Sequence, residues 1–436
     1  MADLSFRDRV SLLLNGLEEG REVRAYLRRF GEGDGGCFAV IKVGGAILDT
    51  DMEALAEALS LLQFLGLPPV VVYGAGPQLD DRLAAAGIPE ERRDGYRVTP
   101  APAIPLAAAA TGRMGLDLAA AMRRLGASAA LVHPGTVEAR ALDPARYGMV
   151  GDVASVDTDG LSRLLAAGAV PLVGCIHPDA SGQLLNINAD NLARGIAEQI
   201  RPKKIVFVTG TGGILDASGA VVSSINLASD REALFAASWL KGGMRHKLAE
   251  IAALLERLPP ASSVSITRTD GLVRELFTHS GSGTLIRRGE AIEQHDAVAR
   301  AVIEPLIESA FGRPLKPGYW HGFAPDYCLL SEHRRAGAVV LRIGDCAFLD
   351  KFAVMPDARG EGLAKALWQE LVARSPRLVW RSRRSNPFNG FYHGVADGSV
   401  RRDPWTVFWC GPDLEAAIPA LADRVAARPP DFQGDE

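Results

Sequence analysis

Ala39-Val40-Ile41-Lys42-Val43-Gly44-Gly45 is a short apolar run, interrupted by one lysine and closed by two glycines. Opened by Phe38, it fits a strand buried on both faces, and the glycine pair ends it. Working outward, Asp51 to Gly66 reads as a helix with Asp at its start and Gly at its end. Val70 to Tyr73 is a second apolar strand, closed by Gly74-Ala75-Gly76, and a helix follows Pro77. Further strand candidates are Ala129 to Val132, Val170 to Val173 and Ile205 to Val208. Short apolar runs separated by helices predict an α/β fold with a mainly parallel central sheet covered on both faces. Ligands in such folds bind at the C-terminal ends of the strands, where these glycine turns fall.

The chain has 436 residues, too many for one ordinary core, so two domains are expected. Residues 1–35 read as an N-terminal helical arm, with Leu4, Phe6, Val10, Leu13, Leu14 and Leu17 at near-helical spacing. Such an arm either packs on its own domain or forms a subunit contact. Residues 36–287 form the α/β domain. Past a boundary near 286–302 the pattern changes, and residues 288–436 read as a smaller α+β domain. Strands at Asp326 to Leu330, Ala338 to Ile343 and Ala347 to Val354 lie close together, as in an antiparallel meander. A helix from Gly360 to Arg374 and a strand at Leu378 to Arg381 follow.

The formal net charge of -4 does not suggest a nucleic-acid partner. The cysteines are five, scattered and without a Cys-x-x-Cys pair, which argues against a disulfide framework or a zinc site and for a reducing compartment. No apolar run is long enough to span a bilayer, and the acidic N-terminus lacks signal or transit character. The expected location is the cytoplasm, with no membrane partner.

Lys42, Gly44 and Gly45 end the first strand, and Gly74, Ala75 and Gly76 end the second. Two glycine turns at neighbouring strand ends present backbone N–H groups to anionic oxygens, and Lys42 adds a positive charge. Each pair alone also fits an ordinary turn. Gly95-Tyr96-Arg97-Val98-Thr99 offers a lone arginine able to clamp a carboxylate. In Leu185-Asn186-Ile187-Asn188-Ala189-Asp190, alternation predicts Asn186, Asn188 and Asp190 on one side of an extended stretch. Asp190 also stands where a helix begins, so an N-cap is the alternative. Gly242-Gly243-Met244-Arg245-His246-Lys247 opens another helix and offers Lys247.

From Phe38 to Leu285 these segments resemble the amino-acid kinase family, in particular its members acting on N-acetylglutamate. That resemblance implies ATP with Mg²⁺ as phosphoryl source and Lys42, Asp190 and Lys247 as catalytic residues. It implies that Gly44, Gly45, Gly74, Ala75 and Gly76, with Arg97, Asn186 and Asn188, hold phosphate and substrate. The chain departs from the family at Tyr73 and Ala75, where His and Gly are usual, and at Thr209-Gly210, where Ser-Asp is usual. Since Ala allows fewer backbone angles than Gly, these changes bear on rate and nucleotide positioning.

In the second domain, Val354-Met355-Pro356-Asp357-Ala358-Arg359-Gly360-Glu361-Gly362-Leu363-Ala364 lies between a strand and a helix. Its Arg-x-x-Gly-x-Ala spacing makes an anion site at a helix start, or an ordinary β-to-α turn. It resembles the pyrophosphate loop of GNAT acetyltransferases, which implies acetyl-CoA held by Val354, Arg359, Gly360, Gly362, Leu363 and Ala364. Asp350-Lys351-Phe352 and the segment from Trp380 to Tyr392 resemble the acetyltransferase domain of N-acetylglutamate synthases, a likeness covering Gly318 to Gly411. It implies that Lys351, Arg381 and Arg383 bind glutamate carboxylates, Asn386 holds substrate or acetyl group, and Tyr392 protonates the departing thiolate. A core aromatic and a solvated basic face are the plain alternatives.

Glu275 to Thr284 resembles the segment through which arginine-sensitive acetylglutamate kinases bind their inhibitor, implying an arginine effector at Glu275, Gly281 and Gly283. The implied whole is a homo-oligomer, taken as a tetramer, that acetylates glutamate and phosphorylates the product. The competing readings are a synthase whose kinase-like domain only senses arginine, and a kinase whose C-terminal domain only binds a ligand. No protein metal site is expected.

Overall fold

The computed structural model describes residues 37–277, 283–296, 300–321, 325–358 and 362–434. They divide into two compact units, one ending at Arg288 and the other beginning at Gly289. The helical arm expected over residues 1–35 lies outside the described residues.

In the first unit the opening strand is Ala39–Val43, inside an eight-stranded sheet. The order across the sheet is Ser224–Asn226, Thr284–Arg287, Ser263–Thr267, Lys204–Val208, Ala39–Val43, Val70–Tyr73, Val170–Val173 and Ala129–Leu131. Every neighbouring pair is parallel except Ser263–Thr267 with Thr284–Arg287. Side chains alternate across the strand. Ile41 and Val43 pack beneath the helices Met52–Phe64 and Ala103–Arg124. Val40 faces the other way, toward the helices Ala189–Ile200 and Gly242–Arg257. A central strand covered on both faces requires the apolar run seen in the sequence.

Two parts of this unit were not expected. The 22-residue helix Ala103–Arg124 is rich in alanine, so its apolar stripe contrasts little with its other face. A second, four-stranded sheet, ordered Val137–Ala141, Val150–Val156, Leu184–Ile187 and Ile176–Pro178, is built partly from strands carrying charges such as Glu138 and Arg140.

The second unit holds a seven-stranded sheet: Ile292–His295, Tyr327–Ser331, Ala336–Ile343, Cys346–Val354, Leu378–Arg383, Trp405–Cys410 and Gly398–Arg402. Its pairs are antiparallel except one, Cys346–Val354 with Leu378–Arg383. That parallel pair joins only Ala347–Leu349 to Leu378–Trp380. Beyond it the two strands part. The helix Leu363–Arg374 begins shortly after the first of them ends. The long strand also carries a register shift against Val339 and Val340, with Asp350 as the extra residue.

Candidate active sites

Alternation sends Lys42 to the face covered by Ala189–Ile200 and Gly242–Arg257, the same face as Val40. Its Nζ lies 2.8 Å from Asp190 Oδ1. Lys247 stands in the second turn of Gly242–Arg257, its ammonium 5.1 Å from the centre of the Phe207 ring. Phe207 is the residue paired with Lys42 across the sheet. Lys42 is thus paired with Asp190, and Lys247 acts on the same carboxylate through its charge. Burial alone would raise the pKa of Asp190, but Lys42 and Lys247 hold it below the usual carboxylate range. Burial pushes Lys247 down, Asp190 works against that shift and Lys42 adds to it.

Asp190 occupies the first turn of its helix, where the macrodipole favours a carboxylate. The cap is Asn188, whose side chain accepts the Asp190 N–H at 2.8 Å. The expected single extended face of Asn186, Asn188 and Asp190 is therefore corrected. The strand stops at Ile187, and capping turns the chain into a helix. Asn186 donates from Nδ2 to the Thr99 hydroxyl at 3.1 Å.

Both glycine turns become helix starts without side-chain caps. Gly44 precedes the helix Gly45–Thr50, and Ala75 precedes Gly76–Ala85. Their first N–H groups are those a helix leaves without internal partners, and they suit an anion. The two turns touch. A Cβ on Gly45 would fall 2.8 Å from the Gly76 nitrogen and 2.6 Å from Gln78 Oε1, and Gln78 Nε2 donates to the Gly45 carbonyl at 2.9 Å. A Cβ on Gly74 would meet the Ala189 methyl at 3.3 Å. Ala75, by contrast, has φ -128°, a value open to any residue, so its methyl strains nothing. Tyr73 is buried, and its hydroxyl end fills the space a Cβ on Gly115 would take. After the strand Lys204–Val208, the Thr209 hydroxyl accepts the Gly212 N–H at 3.2 Å and closes that turn.

Arg97 departs from the expectation of an arginine open to a substrate carboxylate. It is buried and paired with Asp80, and it lies 3.5 Å from Glu90. The hairpin Arg92–Arg93 with Tyr96–Arg97 and the helix Gly76–Ala85 bring these carboxylates to it.

In the second unit, Tyr392 sits in the helix Asn389–Val395 among Trp368, Trp380, Phe388 and Phe408. Burial raises its pKa, so its hydroxyl keeps its proton. Asn386 is committed within the protein. Its Nδ2 donates to the Ser382 hydroxyl at 2.8 Å, and its Oδ1 accepts the Phe388 N–H at 3.0 Å. The helix Leu363–Arg374 starts at Gly362, which has φ +80° and no side-chain cap. Leu363 is buried against the core while Ala364 is half-buried. Arg359 and Gly360 lie outside the described residues.

Lys351 and Arg381, expected to bind glutamate carboxylates, are both engaged within the protein. Lys351 Nζ lies 2.7 Å from Asp350 Oδ2 and 2.6 Å from Asp431 Oδ2. Arg381 donates to the carbonyls of Val425 and Pro429, at 3.2 and 2.8 Å, capping the end of the helix Ile418–Ala426. It also lies 4.2 Å from the centre of the Trp405 ring, and Arg383 lies 4.9 Å from the same ring.

At the expected effector segment, Glu275 is fully buried and its Oε2 accepts the Gly283 N–H at 3.3 Å. Its carboxylate is thus engaged inside the fold rather than displayed to a guanidinium. Gly281 lies outside the described residues. Among the described residues no cluster of three metal-ligating side chains occurs. None of the described helices is long and apolar enough to cross a membrane.

Sequence reasoning missed Gln78, Phe207 and Asn191. Asn191 is buried beside Asp190 and donates to the Tyr96 hydroxyl at 2.9 Å. Strand register would have placed Phe207 beside Lys42, had the pairing been known.

These geometries define two transferase-like sites on one chain, and comparison with known proteins agrees. Residues 38–262 match the amino acid kinase family, and the chain belongs to that family. Residues 297–426 match the N-acetyltransferase of N-acetylglutamate synthase. An acetylglutamate kinase of Xylella fastidiosa is 42% identical over 413 residues, which cover 94% of this chain and 98% of that protein. The human mitochondrial N-acetylglutamate synthase is 31% identical over 384 residues, covering 86% of this chain and 69% of that protein. The crystal structure of N-acetylglutamate synthase from Neisseria gonorrhoeae, complexed with coenzyme A and N-acetyl-glutamate, superposes with a TM-score of 0.65. It covers 90% of this chain and 99% of that one at 21% identity, a likeness of fold.

Proposed function

We propose that this chain is a bifunctional enzyme of arginine biosynthesis. Its second unit acetylates glutamate from acetyl-CoA, and its first unit phosphorylates N-acetylglutamate with ATP. The observation that carries the reading is the Lys42–Asp190–Lys247 arrangement beside two uncapped helix starts. A chain kept only for sensing arginine has no use for two lysines held around one carboxylate at a phosphate cradle.

Phosphoryl transfer requires positioning and charge neutralisation more than covalent chemistry. Lys42 and Lys247 neutralise the phosphoryl oxygens, and Asp190 fixes the two ammonium groups. The N–H groups at Gly44, Gly45 and Gly76 hold phosphate oxygens, and Asn186 with Arg97 forms the substrate side. The donor set fits MgATP. The cradle supplies N–H groups and ammonium rather than a carboxylate cage, which suits Mg²⁺ carried largely on phosphate oxygens.

In the second unit, the uncapped helix start at Gly362 and Leu363 fits the pyrophosphate of coenzyme A. The parted strands after Leu349 and Trp380 leave a gap in the middle of the sheet. Acetyl-CoA supplies the acetyl thioester. The glutamate amine, as its free base, bonds to the acetyl carbon as the C–S bond breaks; Tyr392 gives its proton to the sulfur, and the proton the nitrogen sheds on becoming an amide passes through solvent to restore the phenol. A neutral, buried phenol suits that step.

The same reading takes the protein as a cytoplasmic homo-oligomer, a tetramer, inhibited by arginine. Light scattering with and without arginine tests the assembly. The central test uses the purified full chain. Glutamate with acetyl-CoA is expected to release free CoA thiol, and N-acetylglutamate with MgATP is expected to form ADP. Absence of ADP formation reduces the protein to a synthase; absence of thiol release reduces it to a kinase.

A further inference from the structure

The two cations read as acceptor ligands, Lys351 and Arg381, are both tied up by one short piece of chain at the C-terminus. Asp431 Oδ2 lies 2.6 Å from Lys351 Nζ and 3.7 Å from Arg381. Arg381 also holds the carbonyls of Val425 and Pro429, which lead into that piece. Both cations lie on the sheet face away from Tyr392. Lys351 packs over the rings of Tyr319 and Phe432, which cluster with Ala353. Tyr392 clusters with Leu349 and Trp380 on the other face.

The layering is ordered by depth. The Asp350 and Lys351 side chains are 1% and 3% exposed, whereas that of Asp431 is 19% exposed. Asp431 is therefore the outer carboxylate over a buried ammonium. The piece that carries it is anchored on both sides of Asp431, by Arg428 to Asp350 before it and by the buried Phe432 ring with its bridge to Leu315 after it. The Lys316 N–H donates to the Asp431 carbonyl at 2.8 Å, and the Gln433 N–H to the Pro314 carbonyl at 3.0 Å. Phe432 packs on Phe311 at 4.8 Å.

We propose that residues 428–433 form an internal strap whose Asp431 holds the place of the acceptor's carboxylate on Lys351. An amino acid bearing a free carboxylate enters by displacing it. The inference rests on the acetyltransferase reading and adds to it a gate and a basis for acceptor choice. Removing Asp431 with no replacement would leave Lys351 short of one partner in a buried setting, which is costly. Exchanging one carboxylate for another keeps the ammonium paired. An acceptor with no carboxylate cannot make that exchange. The strap lowers apparent affinity by the fraction of time it occupies the site.

The test uses the full chain. Asp431→Asn is expected to lower the KM for glutamate about tenfold, the scale of one charge-assisted hydrogen bond, with kcat within about twofold. In the wild type, saturating glutamate is expected to speed hydrogen exchange at the Lys316 and Gln433 amides. A purely structural role for Asp431 would instead raise KM or reduce kcat in the variant, and would leave those amides protected when glutamate binds. Either result overturns the strap. If Asp431→Asn fails to fold, the wild-type exchange result decides alone. If the wild type neither binds glutamate by calorimetry nor releases thiol, the acetyltransferase reading falls. If it does both while KM and exchange stay unmoved, only the strap falls.

Discussion

Replacing Asp190 by asparagine preserves the shape of its contact with Lys42 and removes its charge. At 2.8 Å, opposite unit charges attract by about 6 kcal/mol at an effective dielectric of about 20. The Asp190 side chain is 37% exposed, so water screens much of this. A net value of about 2–3 kcal/mol, typical of a charge-assisted hydrogen bond, is the better figure. If that interaction positions the lysines in the transition state, kcat for N-acetylglutamate phosphorylation falls about 30- to 150-fold. A second signature follows from Lys247. Burial depresses its pKa and Asp190 holds it up, so removing Asp190 pushes it lower. The lysine works only when protonated, so kinase activity is lost as pH rises through its pKa. In Asp190→Asn that alkaline loss moves to lower pH. Coupled ADP detection across pH measures both effects, with thiol release on the same preparation as the control. A kcat within threefold of wild type, or an alkaline limb that stays put or moves up, refutes the assignment.

Tyr392→Phe is expected to slow acetyl transfer about 10²-fold while leaving ADP formation unchanged, the contribution of one general acid. Ala75→Gly should leave kinase kcat within twofold, because φ at Ala75 already suits any residue. Its cost should be about 0.5–1 kcal/mol of stability, read from the denaturant midpoint, since glycine frees the unfolded chain. Asp350→Asn removes a buried carboxylate. Burial would raise the pKa of Asp350, but Lys351, with Tyr319 and Arg428, holds it below the usual range. A depressed carboxyl pKa contributes stability above the unfolded value, near pH 4, and loses it as pH falls through the folded value. The variant should therefore be less stable by about 3–5 kcal/mol at neutral pH, with a shallower loss on acidification. Hydrogen exchange of the Cys346–Val354 amides against pH measures this.

The parts legible in the sequence were those whose cause is local. Val70–Tyr73 and Val170–Val173 are apolar throughout because both faces are covered, and no other element was needed to recognise them. Lys42 and the glycine turns were legible for the same reason, as the polar ends of such strands. What stayed hidden was the partner of each buried charge. Arg97 meets Asp80, Lys351 meets Asp431, and Arg381 meets the end of the helix Ile418–Ala426. The Lys351 pair spans 80 positions of the chain, and no local pattern foretells it. The backbone angle at Ala75 was likewise invisible, because the turn is set by its contact with Gly45 and Gln78.

These misses share one physical cause that bears on function. A cation drawn from water into a fold must be paired, so a basic residue placed to receive a substrate carboxylate cannot simply wait there exposed to an apolar wall. At Arg97 and at Lys351 the fold supplies a carboxylate of its own. If substrate carboxylates bind at these residues as proposed, binding at either is an exchange of one carboxylate for another, and affinity reflects the difference between the two. Under that proposal a ligand with no carboxylate binds poorly, because it has nothing to give the buried cation in return.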